Sequence, residues 1–143
     1  MKIATFNING IKARAQALPA WLDDAQPDIA LLQEIKSVDE NFPREEIEGL
    51  GYNLETHGQK GFNGVALLSK LPFDEVNRGL PLRDGDMEDP QARFIEGVFT
   101  VGKKPLRVVS LYLPNGNPVD TEKFPYKLQW MERLEDWARE RLE

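Results

Sequence analysis

Two short stretches, Ile29-Ala30-Leu31-Leu32-Gln33 and Val65-Ala66-Leu67-Leu68-Ser69, constrain the fold more than anything else in the chain. Neither alternates between apolar and polar residues, as a strand with one wet face does. Each reads as a strand covered on both faces, and such strands belong to layered sheets. The flanking sequence agrees. Lys2–Ile8 is strand-like, with bulky Ile3, Phe6 and Ile8, and Asn9-Gly10 closes it with a turn signal. Lys12–Ala25 sets Leu18, Trp21, Leu22 and Ala25 at helical spacing, with Pro19 in the first turn or bending it.

Further on, Ser37–Gly49 carries a second helical stretch, stopped at Gly49 or Gly51, and Tyr52–Glu55 is a short strand. His57–Gly64 is a glycine-rich loop, and Gly79–Pro90 is an acidic, solvated one. Arg93–Val101 and Leu106–Leu113 read as paired strands, and Asn115-Gly116-Asn117-Pro118 as a turn. From Phe124, the residues Leu128, Met131, Leu134, Trp137, Ala138 and Leu142 mark an amphipathic helix. The three tryptophans sit at helical spacings and read as packing groups. The order of elements predicts a mixed α/β sheet.

The chain has 143 residues and no cysteine, which excludes a disulfide scaffold, a thiolate zinc site and a cysteine nucleophile. No apolar run approaches the roughly 20 residues of a membrane span, so no membrane partner is expected. A cysteine-free chain without a targeting signal is expected in the cytoplasm.

Three polar residues fall where strands end: Asn7, Glu34 and Tyr112. Ligands of open α/β sheets bind beyond the carboxyl ends of strands. If these strands are neighbours, an amide, a carboxylate and a phenol converge, a set suited to a hard cation and a phosphate. Each residue also has a plainer reading: turn chemistry for Asn7, a helix cap for Glu34, packing for Tyr112.

Lys2-Ile3-Ala4-Thr5-Phe6-Asn7-Ile8-Asn9-Gly10-Ile11 resembles the first motif of the exonuclease III family, the bacterial abasic-site endonucleases of the endonuclease/exonuclease/phosphatase superfamily. Four more stretches agree in order and spacing. Gln26-Pro27-Asp28-Ile29 leads to Leu32-Gln33-Glu34-Ile35-Lys36, which resembles the metal-glutamate motif. Phe42-Pro43 and Leu50-Gly51-Tyr52-Asn53 follow, then His57-Gly58-Gln59-Lys60-Gly61-Phe62-Asn63-Gly64-Val65-Ala66-Leu67-Leu68. Tyr112-Leu113-Pro114-Asn115-Gly116 resembles the catalytic-tyrosine motif.

The resemblance implies a two-sheet α/β sandwich of the DNase I-like type, of which this chain supplies roughly one sheet and its helices. It implies a Mg²⁺-dependent phosphodiesterase, Mn²⁺ being able to substitute, acting on double-stranded DNA at abasic sites or 3′ ends. Glu34 matches the metal ligand, Asn7 the residue beside it that orders metal and carboxylates, and Tyr112 the group that reaches the scissile phosphate. The family's second-half motifs, Gly-Asp-x-Asn and Ser-Asp-His, are not present in the sequence. Residues 1–143 are therefore expected to be the N-terminal half of one domain, catalytically incomplete alone, with the C-terminal half as its partner. Such a half is expected to expose an inner sheet face and to associate. His57, the single histidine, matches a loop position, not the family's catalytic histidine.

The net charge of −6 at first disfavours DNA. It concentrates in two acidic segments, 37–50 and 71–96, which leave the remainder mildly basic. Lys12, Arg14, Lys36 and Lys60 lie near the expected site. Backbone binding needs local positive charge, not a basic whole. Lys60, Arg93, Asn9, Gly10 and Asn115 are the expected DNA-phosphate contacts, although Asn115 fits a plain turn equally well.

Overall fold

The computed structural model describes all residues, Met1–Glu143. The chain forms two compact units: Met1–Arg78 with Gln91–Tyr112, and Gly79–Pro90 with Leu113–Glu143. The first holds strands β1 (Ile3–Asn7), β2 (Ile29–Gln33), β3 (Asn53–His57), β4 (Val65–Ser69), β5 (Glu75–Arg78), β6 (Phe94–Val101) and β7 (Lys104–Leu111), with helices α1 (Ala17–Ala25) and α2 (Arg44–Gly49). The second holds helix α3 (Lys123–Leu142).

The strands form two sheets, ordered β1-β2-β4-β3 and β5-β6-β7. This corrects the expectation of roughly one sheet: the chain contributes strands to both layers of the sandwich. Strand β5 escaped the sequence reading because Glu75-Val76-Asn77-Arg78 is short and polar, and pairing with β6 creates it. Only β1 and β2 run parallel; every other pair is antiparallel.

The doubly covered strands are as the sequence predicts. Ala30 and Leu32 of β2, with Ala66 and Leu68 of β4, pack in one cluster with Leu18 and Leu22 of α1 and Ile47 of α2. On the opposite face, Ile29, Leu31, Val65 and Leu67 meet Ile95, Phe99 and Val108 of the second sheet. Each strand thus buries both faces, with about 1.5–3 kcal/mol favouring burial of each large apolar side chain. The inner face is already partly covered. It stays open at the edge strand β1, where Ile3 is 48% exposed and Thr5 and Asn7 are exposed too.

Helix α3 differs from its expected stripe. Trp130 and Arg133 are buried, while Leu128 and Met131 are exposed. Leu134, Trp137 and Ala138 of that stripe are half-buried, and Arg133 donates to Asp89 at 2.7 Å, an ion pair between largely buried partners. Tyr126 also donates to Asp89, so polar pairing joins Trp130 on a buried side that apolar spacing only partly predicts.

Candidate active site

The parallel register Asn7↔Gln33 brings the carboxyl ends of β1 and β2 side by side. Beyond β2 the backbone leaves ordinary geometry: Glu34 has φ +54° and Lys36 φ +52°, left-handed conformations that side chains with a Cβ disfavour. Neighbouring backbone imposes them. On one side the Gly10 and Ile11 N–H groups donate to the Glu34 and Ile35 carbonyls, at 2.7 and 2.9 Å. On the other, the Ile35 and Lys36 N–H groups donate to Gly64 and Asn63, at 3.2 and 3.0 Å. Gly10 makes the tight turn at φ +96°.

The Asn7 amide donates to Glu34 Oε1 at 2.9 Å, and its carbonyl oxygen accepts from the Asn9 N–H at 3.1 Å. The amide is thereby fixed in one orientation. Lys36 Nζ donates to Asn9 Oδ1 at 2.7 Å and lies 3.4 Å from Glu34 Oε2. The Glu34 side chain stays 21% exposed. The Asn7 hydrogen bond holds its carboxyl below the usual carboxylate value; burial opposes this, and the Tyr112 phenol and the Lys36 ammonium add to the lowering. Glu34 is therefore an anion at neutral pH.

Tyr112 arrives from the second sheet, immediately after β7. Buried Ser110 ties that strand to β2: its hydroxyl donates to the Leu32 carbonyl at 2.8 Å and accepts from Gln33 Nε2 at 3.2 Å. The phenol stands close enough to Glu34 for each to shift the other's proton equilibrium. Burial raises the Tyr112 pKa, the Glu34 carboxylate raises it further, and Arg93 opposes. The phenol is thus neutral and able to donate. The Arg93 guanidinium lies over its ring, 5.1 Å from the centroid, and donates to the Tyr112 carbonyl at 3.2 Å.

The structure brings together Asn7, Asn9, Gly10, Glu34, Arg93 and Tyr112. Gly10 enters as a turn former: its N–H is bound to Glu34, so it has no donor left for a phosphate. Lys60 is exposed on the Gly58–Gly64 loop, whose backbone reaches Ile35 and Lys36. Asn115 lies in the other compact unit, where its side-chain oxygen accepts from the Asn117 N–H, turn chemistry. The acidic segment 37–50 is less remote than its charge suggests, because Asp39 accepts from Gly58 N–H and Thr56 and so supports the loop carrying Lys60. Sequence reasoning placed Lys36 nearby but gave it no role, and missed Ser110. The lone hydroxyl in the apolar run Val108–Leu111 was the only signal for Ser110.

A sheet sandwich that gathers an ionised carboxylate, a carboxamide and a neutral phenol at its strand ends defines a class: layered α/β folds with a polar site on the strand-end rim. The chain belongs to the endonuclease/exonuclease/phosphatase family, whose sequence profile matches residues 4–143. It is 43% identical over 138 residues to exodeoxyribonuclease III of Haemophilus influenzae, covering 96% of this chain and 51% of that protein. Its structure is similar to NExo, a 3′ phosphatase from Neisseria bound to product DNA hairpin, with TM-score 0.89 and 35% identity over 99% of this chain and 52% of the other. An AP endonuclease from Archaeoglobus fulgidus is similar with TM-score 0.82 and 37% identity, over 94% and 49% of the two chains. The chain therefore spans about half the length of these relatives.

Proposed function

We propose that residues 1–143 are the N-terminal half of a DNA-repair phosphodiesterase of the exodeoxyribonuclease III kind, which incises duplex DNA at abasic sites and removes nucleotides from 3′ ends. The observation that carries this reading is the convergence of Asn7, Glu34 and Tyr112 from two sheets onto one rim. The relatives' activities on DNA support it. The intact enzyme works in the cytoplasm, completed by a C-terminal half that supplies the group activating the attacking water.

The donor set fits a hard divalent cation, Mg²⁺ with Mn²⁺ as substitute. A single ionised carboxylate, partly open to water, matches the usual holding of Mg²⁺ by one or two carboxylates and several waters. No cluster of three or more acidic or imidazole side chains forms a closed cage. Glu34 would hold the ion, which supplies positive charge where phosphoryl oxygens gain negative charge. Asn7 fixes the carboxylate. Tyr112, kept neutral, donates a hydrogen bond to a phosphate oxygen without adding an anion. Arg93 steadies its ring, and Lys60 and Asn9 offer donors to flanking phosphates.

The test compares cleavage of an abasic-site duplex by residues 1–143 and by the chain continued through its C-terminal half, with Mg²⁺ and with chelator. Cleavage by the longer protein alone, abolished by chelator, is expected. Robust turnover by residues 1–143 overturns the half-domain reading, and no cleavage by either overturns the function.

A further inference from the structure

The inner face of β2 carries the row Ile29, Leu31 and Gln33. The first two pack against Ile95, Phe99 and Val108 of the second sheet. The third is a half-buried amide, at a place where a leucine would simply extend that core. Burying an amide is unfavourable unless it is hydrogen-bonded. Gln33 finds its partners on two other strands. Its Nε2 donates to Thr5 Oγ1 at 3.0 Å and to Ser110 Oγ at 3.2 Å. Its backbone carbonyl accepts from the Ile8 N–H at 2.9 Å.

Proton counting fixes the direction of these bonds. Ser110 is fully buried, and its single hydroxyl proton goes to the Leu32 carbonyl at 2.8 Å. The Ser110 oxygen can then only accept, so the nitrogen of the Gln33 amide must face it. An amide nitrogen has two protons, and Thr5 and Ser110 take both.

The three strands joined in this way are those that carry the site. Asn7 ends β1, two residues after Thr5, and Glu34 directly follows Gln33. Tyr112 lies two residues after Ser110 and packs against the intersheet cluster. About 7 Å separates Cα atoms two residues apart along a strand, so a displacement at Ser110 is passed on to the phenol. The Tyr112 N–H donates to the Arg93 carbonyl at 2.8 Å, a bond that runs within the second sheet and not toward Glu34. Apolar contacts between the sheets are non-directional, whereas a hydrogen bond has one preferred distance and angle.

Resting on the function proposed above, we infer that Gln33 is a positioning residue of the phosphodiesterase. Through Ser110, its amide locks β7 to β2 in the register that sets the Tyr112 phenol beside the Glu34 carboxylate. It touches no substrate and acts through Tyr112.

The test uses the intact enzyme and Gln33→Met, which keeps length and apolar volume and removes both donors. For an abasic-site duplex, kcat is expected to fall about tenfold with KM unchanged, within the roughly hundredfold that about 1 Å of misplacement costs. In a Tyr112→Phe background the same substitution lowers kcat no further, because the group it positions is gone. In cation-free protein, the nuclear Overhauser contact between the Tyr112 ring and the Glu34 side chain weakens. Undiminished kcat in Gln33→Met overturns the inference. So does an unchanged Overhauser contact, or a loss that multiplies in full with that of Tyr112→Phe, since either leaves Gln33 a merely structural part. Should Gln33→Met fail to fold, Ser110→Ala is judged by the same criteria. If the parent enzyme cleaves no duplex, the proposed function falls and the inference with it; if it cleaves and Gln33→Met cleaves equally, only the inference falls.

Discussion

Two glutamates of this chain meet opposite environments. Glu34 follows the end of β2 in a left-handed conformation, partly open to water, among an amide, a phenol and an ammonium. Glu96 lies in the middle of β6, fully buried, on the face opposite the intersheet core. Its Oε1 accepts from Asn77 at 2.8 Å and Arg107 at 3.1 Å, while Oε2 has no partner. A carboxylate at a strand end can offer an oxygen to a cation, because water still reaches it. One in a strand's middle can only bind its neighbours, and its orphan oxygen is a standing cost. Under the proposed function the same side chain serves chemistry in one place, while in the other its contacts are cross-strand pairing.

The difference is sharpest in substitutions. Glu34→Gln removes the anion and keeps the shape. Cleavage by the intact enzyme is expected to fall by about 10³-fold, the scale of losing one electrostatic contributor, with the thermal midpoint nearly unchanged. Steady-state cleavage of an abasic-site duplex reads this, and near-normal turnover would remove Glu34 from the chemistry. Glu96→Ala is expected to act the other way: about 2–3 kcal/mol of stability lost in denaturant unfolding, because Asn77 and Arg107 lose a buried acceptor, with turnover of the folded enzyme preserved. Glu96→Gln is milder, at about 1 kcal/mol, since it keeps an acceptor for Asn77. Loss of turnover in folded Glu96→Gln protein would break the comparison.

Tyr112→Phe is expected to lower turnover by about tenfold or more. It also reports on Glu34. The Glu34 carboxyl titrates below its ordinary value of 4.5, with Tyr112 among the causes. The ionised form therefore stabilises the fold; this contribution is full above that value and is lost as pH falls through the lowered one. In Tyr112→Phe the Glu34 titration moves upward, measured by carboxyl-carbon NMR of the cation-free protein. An unmoved titration would separate the phenol from the carboxylate.

Much of this was legible in the residues. The unbroken apolar runs at Ile29 and Val65 require cover on both faces, and both strands have it. Asn7, Glu34 and Tyr112 stand out because polar groups at strand ends need partners. Strand β5 was not legible, since four residues with Val76 as their single apolar member have no pattern until β6 pairs with them. Nor was the whole buried side of α3, which includes Arg133 paired with Asp89 as well as part of the apolar stripe.

The sequence alone determined the layered class, the doubly buried strands and the chemical kit at their ends, because burial period and residue type are local properties. Only the tertiary structure decided which donors of that kit remain usable. Gly10 gives its N–H to Glu34, Asn7 turns its amide to the carboxylate, and Lys36 reaches both Asn9 and Glu34. A hydrogen bond or ion pair is settled by where another part of the chain arrives, and no spacing along the sequence records that.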